Sequence, residues 1–255
     1  MIYEQTEQQK GRCFAASDWH GCGKVADKIF DFLNPEDTLF FLGDAADRGP
    51  DGVKILDALL KRPNTYFIKG NHEQFIEYCN VSYPDTLWIS ANGGLPTYSA
   101  LSEDTEKFLY FQKRIKDMPL EIRYKSLKGH TVILEHSGYS PFTVHRKHDP
   151  CWDREHFMDC WAYVPQEETE NTYLVHGHTP VQYLKFMYGY VDQPPLTKED
   201  LEHRREWCSG DYCSFIPTVI RYCDGHKFDI DLCTAASKRA VLLDLDTFKE
   251  IYFEE

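Results

Sequence analysis

Gly43-Asp44-Ala45-Ala46-Asp47-Arg48-Gly49 is the stretch on which the reading turns. It follows an apolar run, Thr38-Leu39-Phe40-Phe41-Leu42, and precedes Pro50 and an amphipathic segment. Two carboxylates and a guanidinium therefore stand where a buried strand opens into a loop and then a helix. Such a strand end holds polar groups rigidly at the rim of a core. Asp-rich turns are common, so the string gains its weight from other segments built the same way.

Upstream, 12–17 reads as a short buried strand ending at Asp18-Trp19-His20-Gly21. Val25, Ile29, Phe32 and Leu33 follow at helical spacing until Asn34-Pro35 stops them. Downstream, Val53, Ile55, Leu56, Leu59 and Leu60 predict a helix ended by Arg62-Pro63. Residues 65–69 predict a third strand running into Gly70-Asn71-His72-Glu73. Strand, polar loop and helix thus recur, the pattern of a layered α/β fold. From 81 to about 118 the chain changes character, with turn signals at Tyr83-Pro84-Asp85 and Asn92-Gly93-Gly94 and helical spacing over 104–116. This predicts a mainly helical insertion lying against the core.

Strand pattern returns at 121–124 and at 131–135, the latter ending at His136-Ser137-Gly138. Residues 172–175 end at His176-Gly177-His178-Thr179-Pro180. Four strands over 218–222, 227–231, 240–245 and 249–253 predict a second sheet in the tail. Between them, about 184–216 is polar, with Pro194-Pro195 and a charged run over 198–206, and reads as a solvated helix and loop or as a lid.

The 255 residues, 42% hydrophobic, supply a substantial core. The expectation is one domain over 1–255 with the insertion at 81–118 and an extra polar segment at 181–226. No apolar run approaches the ~20 residues of a membrane span, and 1–10 lacks the basic-then-apolar profile of a leader. A soluble cytoplasmic protein is expected. Nine scattered cysteines predict free thiols in a reducing compartment. Cys208, Cys213, Cys223 and Cys233 lack the CxxC knuckles of structural zinc. The formal charge of −13 disfavours nucleic acid and anionic membranes as partners. It leaves a phosphorylated substrate open, because bound metal ions invert the field locally.

Five strand ends carry Asp18 and His20; Asp44, Asp47 and Arg48; Asn71 and His72; His136; and His178. Aspartate, histidine and one asparagine, with no cysteine, suit a divalent ion such as Mn²⁺, Fe²⁺ or Zn²⁺. Any one of these histidines could be structural; together they predict a two-metal site, which needs a bridging carboxylate flanked by neutral ligands.

Asp18-x-His20-Gly21, Gly43-Asp44-x-x-Asp47-Arg48-Gly49 and Gly70-Asn71-His72-Glu73 resemble, in order and spacing, the three signature blocks of the PPP-type metallophosphatases, within the calcineurin-like metallophosphoesterase superfamily. His136-Ser137-Gly138-Tyr139-Ser140-Pro141, Gly177-His178-Thr179-Pro180, Trp152-Asp153-Arg154-Glu155 and Asn92-Gly93-Gly94 are similar to blocks of its bacterial and phage branch, of lambda-phage type. The resemblance implies a four-layer α/β/β/α sandwich of two mixed β-sheets flanked by helices. It implies that Asp18, His20 and Asp44 bind a first metal, and that Asp44 bridges to a second completed by Asn71, His136 and His178, manganese being the expected ion. A hydroxide shared by the two ions would attack phosphorus directly. Arg48 and Arg154 would clamp the phosphoryl oxygens, beside Asn71. His72 would protonate the leaving oxygen and Asp47 would steady His72.

The implied activity is hydrolysis of phosphoserine and phosphothreonine in proteins, and of phosphotyrosine or small phosphate esters. Dinucleoside polyphosphate hydrolysis is the alternative. A silent binding module on this fold would have lost a ligand or His72, and the chain keeps them all. It departs from the pattern at Ser17, where glycine is usual, and at His176, where an apolar residue is usual and a packed core histidine is expected. It departs again in the length of 181–226. His145, His148 and His156 read as surface or supporting residues.

Overall fold

A computed structural model describes residues 2–5, 10–138, 149–154, 170–183 and 216–255. Its strands are β1 (Ile2–Gln5), β2 (Cys13–Ala16), β3 (Thr38–Phe41), β4 (Thr65–Phe67), β5 (Glu121–Lys125), β6 (Thr131–Glu135), β7 (Thr172–His176), β8 (Ile220–Tyr222), β9 (Lys227–Asp229), β10 (Arg239–Asp244) and β11 (Glu250–Glu254). The helices are α1 (Gly23–Phe32), α2 (Gly52–Lys61), α3 (Asn71–Tyr78), α4 (Leu95–Ser102) and α5 (Thr105–Lys116), with a π-helical turn at Leu87–Ala91.

Two mixed sheets pack face to face. One has the order β11-β10-β2-β3-β4 and the other β1-β5-β6-β7-β9-β8. β2 and β3 are buried on both faces, which is why they read as continuous apolar runs. Alternate residues divide between two cores. Phe14, Ala16, Leu39 and Phe41 meet the helices, with Val25 and Ile29 of α1 and Ile55, Leu56 and Leu59 of α2. Cys13, Ala15, Phe40 and Leu42 meet the other sheet, with Ile122, Val132, Leu134, Val175 and Phe228. Phe40 lies between Tyr66 and Tyr124, ring centroids 5.2 and 5.3 Å away. Burial of each such ring contributes about 1.5–3 kcal/mol.

Two expectations need correction, and one strand was not foreseen. The tail strands do not make a second sheet of their own: β8 and β9 complete the six-stranded sheet, whereas β10 inserts beside β2 and carries β11 with it. Hydrophobic alternation specifies faces, and it is silent about which neighbour a strand takes. The polar start of the chain contains β1, an edge strand parallel to β5. An edge strand has one partner and needs little apolar surface. Among the cysteines, Cys13, Cys22, Cys79, Cys151 and Cys233 are free, but Cys223 is disulfide-bonded. Sequence spacing does not report approach in space, and cysteine usage therefore gives no argument for a reducing compartment. The stretch 184–215 and His145, His148 and His156 lie outside the described residues. No helix among the described residues is long and apolar enough to cross a membrane.

Candidate active site

The ends of β2, β3, β4, β6 and β7 converge on one rim. β2 and β3 run parallel, and their exit loops are zipped together: Asp18, His20 and Gly21 donate their N–H groups to the carbonyls of Gly43, Asp44 and Ala45, each at 3.0 Å. In return Gly49 N–H bonds His20 O at 3.0 Å and Asp51 N–H bonds Gly21 O at 3.1 Å. Gly21 and Gly49 cross so closely that a Cβ on either would strike the other's backbone. Asp18, His20, Asp44, Asp47, Arg48 and His178 all have positive φ, between 43° and 69°. Asp and His tolerate this region better than most side chains, yet each such residue costs about 1 kcal/mol.

Asp44 sits at the centre, buried. Its Oδ1 accepts the His72 backbone N–H at 3.0 Å, so the carboxylate rests on the N-terminus of α3. The same Oδ1 lies 3.4 Å from His136 Nε2, while Oδ2 lies 3.7 Å from His20 Nε2 and 3.8 Å from His72 Nε2. Two groups result that share Asp44 and could each hold a metal ion: His20–Asp44–His72 and Asp44–His136–His178. Asp18 lies beside the first, its Oδ1 3.8 Å from His20 Nε2. Asn71 lies beside the second, its Oδ1 3.0 Å from His136 Nε2.

The donor set fits divalent cations on three observations. Asp18 Oδ1 and both ring nitrogens of His178 are buried without a hydrogen-bond partner. His20 Nδ1–H is spent on Ala46 O at 3.1 Å, leaving Nε2 with its lone pair toward the carboxylates. Burial holds His20 and His178 well below the usual histidine range, so both rings are neutral, as ligands must be. The field behaves accordingly. Burial works to lower His136, but Asp44, Asp18 and Glu73 outweigh it and raise that ring to about 9. A proton is drawn to a place where a bound cation would replace it. Asp44 shows the converse: burial would raise it, and His136, His72 and His20 hold it well below the carboxylate norm.

His72 is oriented from behind. Its Nδ1–H donates to Asp47 Oδ2 at 2.7 Å, and the same oxygen accepts Trp88 Nε1–H at 2.7 Å. Asp47 N–H bonds Thr97 Oγ1 at 2.9 Å. Arg48 N–H bonds Gly93 O at 2.8 Å, and its guanidinium approaches His72 Nε2 at 3.4 Å. The insertion at 81–118 is thus more than packing: Trp88, Gly93 and Thr97 fix Asp47 and Arg48. Arg154 is exposed, as is Arg48, and its Nη1–H donates to Thr179 Oγ1 at 3.1 Å. The fold therefore brings Asp18, His20, Asp44, Asp47, Arg48, Asn71, His72, His136, Arg154 and His178 to one rim.

Glu73 and Asp231 were given no role in the sequence, Ser17 gains one, and His176 is the packed core histidine expected of it. Glu73, fully buried, accepts the N–H groups of Asp44 (2.7 Å), Ala45 (3.0 Å) and Gly70 (3.0 Å). It ties the loop after β3 to the start of α3. Its place three residues past the helix cap is a capping-box position, a signal that could have marked it. Burial, then Asp44, raises Glu73 to about 7. Ser17 donates its hydroxyl to Asp18 Oδ2, so this departure from the usual glycine supports the carboxylate. Beyond β9, Asp231 accepts Cys233 N–H at 2.8 Å and is raised by burial to about 6. It stands within electrostatic reach of Asp18, Arg48 and Arg154. His176 is buried, with Nδ1–H on Gly177 O at 3.0 Å and Nε2 facing the Tyr222 hydroxyl at 2.6 Å, and burial lowers it to about 3.

The sequence profile of the calcineurin-like phosphoesterases matches residues 12–230. A serine/threonine-protein phosphatase 1 from Salmonella typhimurium is 28% identical over 192 residues, 71% of this chain and 85% of that protein. A symmetrical bis(5'-nucleosyl)-tetraphosphatase from Legionella pneumophila is 23% identical over 219 residues, 84% of this chain and 68% of that one. A solved structure assigned as a diadenosine tetraphosphatase superposes with a TM-score of 0.56 at 16% identity, covering 100% of this chain and 98% of that one. That last likeness is one of fold.

Proposed function

The chain belongs to the calcineurin-like phosphoesterase family, and from that membership we propose that it is a two-metal phosphomonoesterase acting on phosphoserine and phosphothreonine in proteins. The observation that carries the reading is the division of Asp44: one oxygen faces His20 and His72, the other faces His136. A single carboxylate so placed suits two ions, the second completed by His178 and Asn71 and the first by Asp18; manganese fits the oxygen and imidazole donors. When bound, such ions activate water and neutralise developing phosphoryl charge.

The chain's own groups do the rest. Arg48 and Arg154, exposed where the buried ligands are not, bind the phosphoryl oxygens, and forked guanidinium donors suit that geometry. A terminal phosphate presents three oxygens and so favours a monoester. His72, with its Nδ1–H held by Asp47, presents Nε2 to the leaving oxygen and protonates it in the imidazolium form. The chain covers 85% of the Salmonella phosphatase, which supports a protein substrate.

The Legionella relative favours a second reading, hydrolysis of dinucleoside polyphosphates. A side-by-side assay with Mn²⁺ divides them. Release of phosphate from phosphoserine peptides without cleavage of diadenosine tetraphosphate is expected; the reverse result overturns the first reading.

A further inference from the structure

His178 carries two buried ring nitrogens without a hydrogen-bond partner. A metal-facing histidine is ordinarily aimed by a bond from its second nitrogen to a carbonyl or carboxylate. His178 has no such bond, so its aim has to come from the backbone beneath it.

That backbone is a tight turn with His178 at φ +66°. His178 N–H donates to Asp18 Oδ2 at 3.1 Å, and Thr179 N–H donates to Gly177 O at 2.7 Å. Gly177 is wedged against Ser17 and Asp18, where a Cβ would collide with both side chains. Its carbonyl accepts a second bond, from His176 Nδ1–H at 3.0 Å. The far side of that imidazole, Nε2, takes the Tyr222 hydroxyl at 2.6 Å. Tyr222 belongs to β8, at the edge of the six-stranded sheet, and both rings are buried. A neutral imidazole has one donor and one acceptor, and this pair of partners uses both. An apolar side chain at 176 could fill the same space but could not hold the carbonyl.

We propose that Tyr222 and His176 are positioning residues for the second metal: the chain of bonds from hydroxyl to imidazole to the Gly177 carbonyl fixes the turn and aims His178 at the ion it would share with Asp44 and His136. The inference rests on the two-metal reading above. Neither residue touches substrate, so the effect should appear first in metal affinity.

The test is Mn²⁺ binding to the purified full chain, followed by the paramagnetic resonance of free Mn²⁺, for the wild type, Tyr222→Phe and His176→Leu. Metal-free melting curves run alongside as a check on folding. Two ions are expected in the wild type. Both variants should retain one ion at wild-type affinity and bind the second ~10–100-fold more weakly, as loss of a supporting contact does elsewhere. Tyr222→Phe removes one hydroxyl and keeps the ring, so it carries the test even where His176→Leu fails to fold. Wild-type affinity for both ions in Tyr222→Phe would overturn the proposal, and so would equal weakening of both. A wild type that binds fewer than two ions would instead overturn the two-metal reading itself.

Discussion

The site has two halves built in opposite ways. Asp18, His20, Asp44, Asp47, Arg48 and His178 stand on loops with left-handed backbone. Asn71, His72 and Glu73 stand on the first turn of α3, and His136 at a strand end, all outside that region. The loop half is strained by about 1 kcal/mol per residue and persists because neighbours over-determine it. The helix half is regular, and it supplies that determination. Its N-terminus receives Asp44, and Glu73 takes three backbone N–H groups, two of them from the loop after β3. Placement and support are therefore divided: the loops bring the candidate ligands inward, and α3 keeps them there.

Substitutions can break that division, and they should do so unequally. The largest effect belongs to Asp44→Asn on the loop side. Because the two oxygens of Asp44 face different histidines, both ions should be lost together. Turnover should fall by more than the ~10²–10³-fold that loss of one transition-state contact brings. Metal analysis checks it; loss of one ion alone would show that the two groups do not depend on a shared ligand. On the helix side, His72→Asn should keep two ions yet slow hydrolysis of phosphoserine peptides by ~10²–10⁴-fold. Para-nitrophenyl phosphate, whose leaving group barely needs a proton, should lose much less. Equal losses on the two substrates would remove His72 from the acid role, and loss of an ion would make it a ligand.

Glu73→Gln tests the support directly. It keeps shape but gives up the charge that three N–H donors share. Metal affinity should weaken ~10–100-fold, with about 1–3 kcal/mol less stability in metal-free urea unfolding. Unchanged stability would show that the loops hold themselves. The smallest effect is expected from Trp88→Phe, which removes one of two donors on Asp47 Oδ2. Loss of about 1 kcal/mol there corresponds to a several-fold drop in turnover with metal binding intact. A change in KM alone would place Trp88 with substrate binding instead.

Much of the site was legible in the sequence because strand ends are visible as apolar runs that stop at polar side chains. Asp18, Asp44, His136 and His178 all follow this rule. Trp88 and Thr97 do not. They lie in a segment without strand pattern, and their importance comes from meeting Asp47 across 41 and 50 residues of chain. Glu73 was quoted within its motif but without a role, since its partners are backbone N–H groups and any sequence would offer those. The layered α/β pattern was legible from period and order, and the sandwich of two sheets from the resemblance of the motifs. The placing of β10 was not, because β2 presents the same alternation whichever strand lies beside it.

That placing has a consequence for how the molecule is made. β2 carries the first ligand loop and has β3 on one side, but its other neighbour is β10, far downstream. A chain emerging from the ribosome can pair β2 with β3 and β4 early, and it leaves the other edge of β2 open until Arg239–Asp244 has been translated. β2, made long before β10, is thus among the last strands to be locked on both edges. Ribosome-bound chains halted before Arg239 should show the amides on the β10-facing edge of β2 unprotected from hydrogen exchange, and protection already present there would refute this order of events.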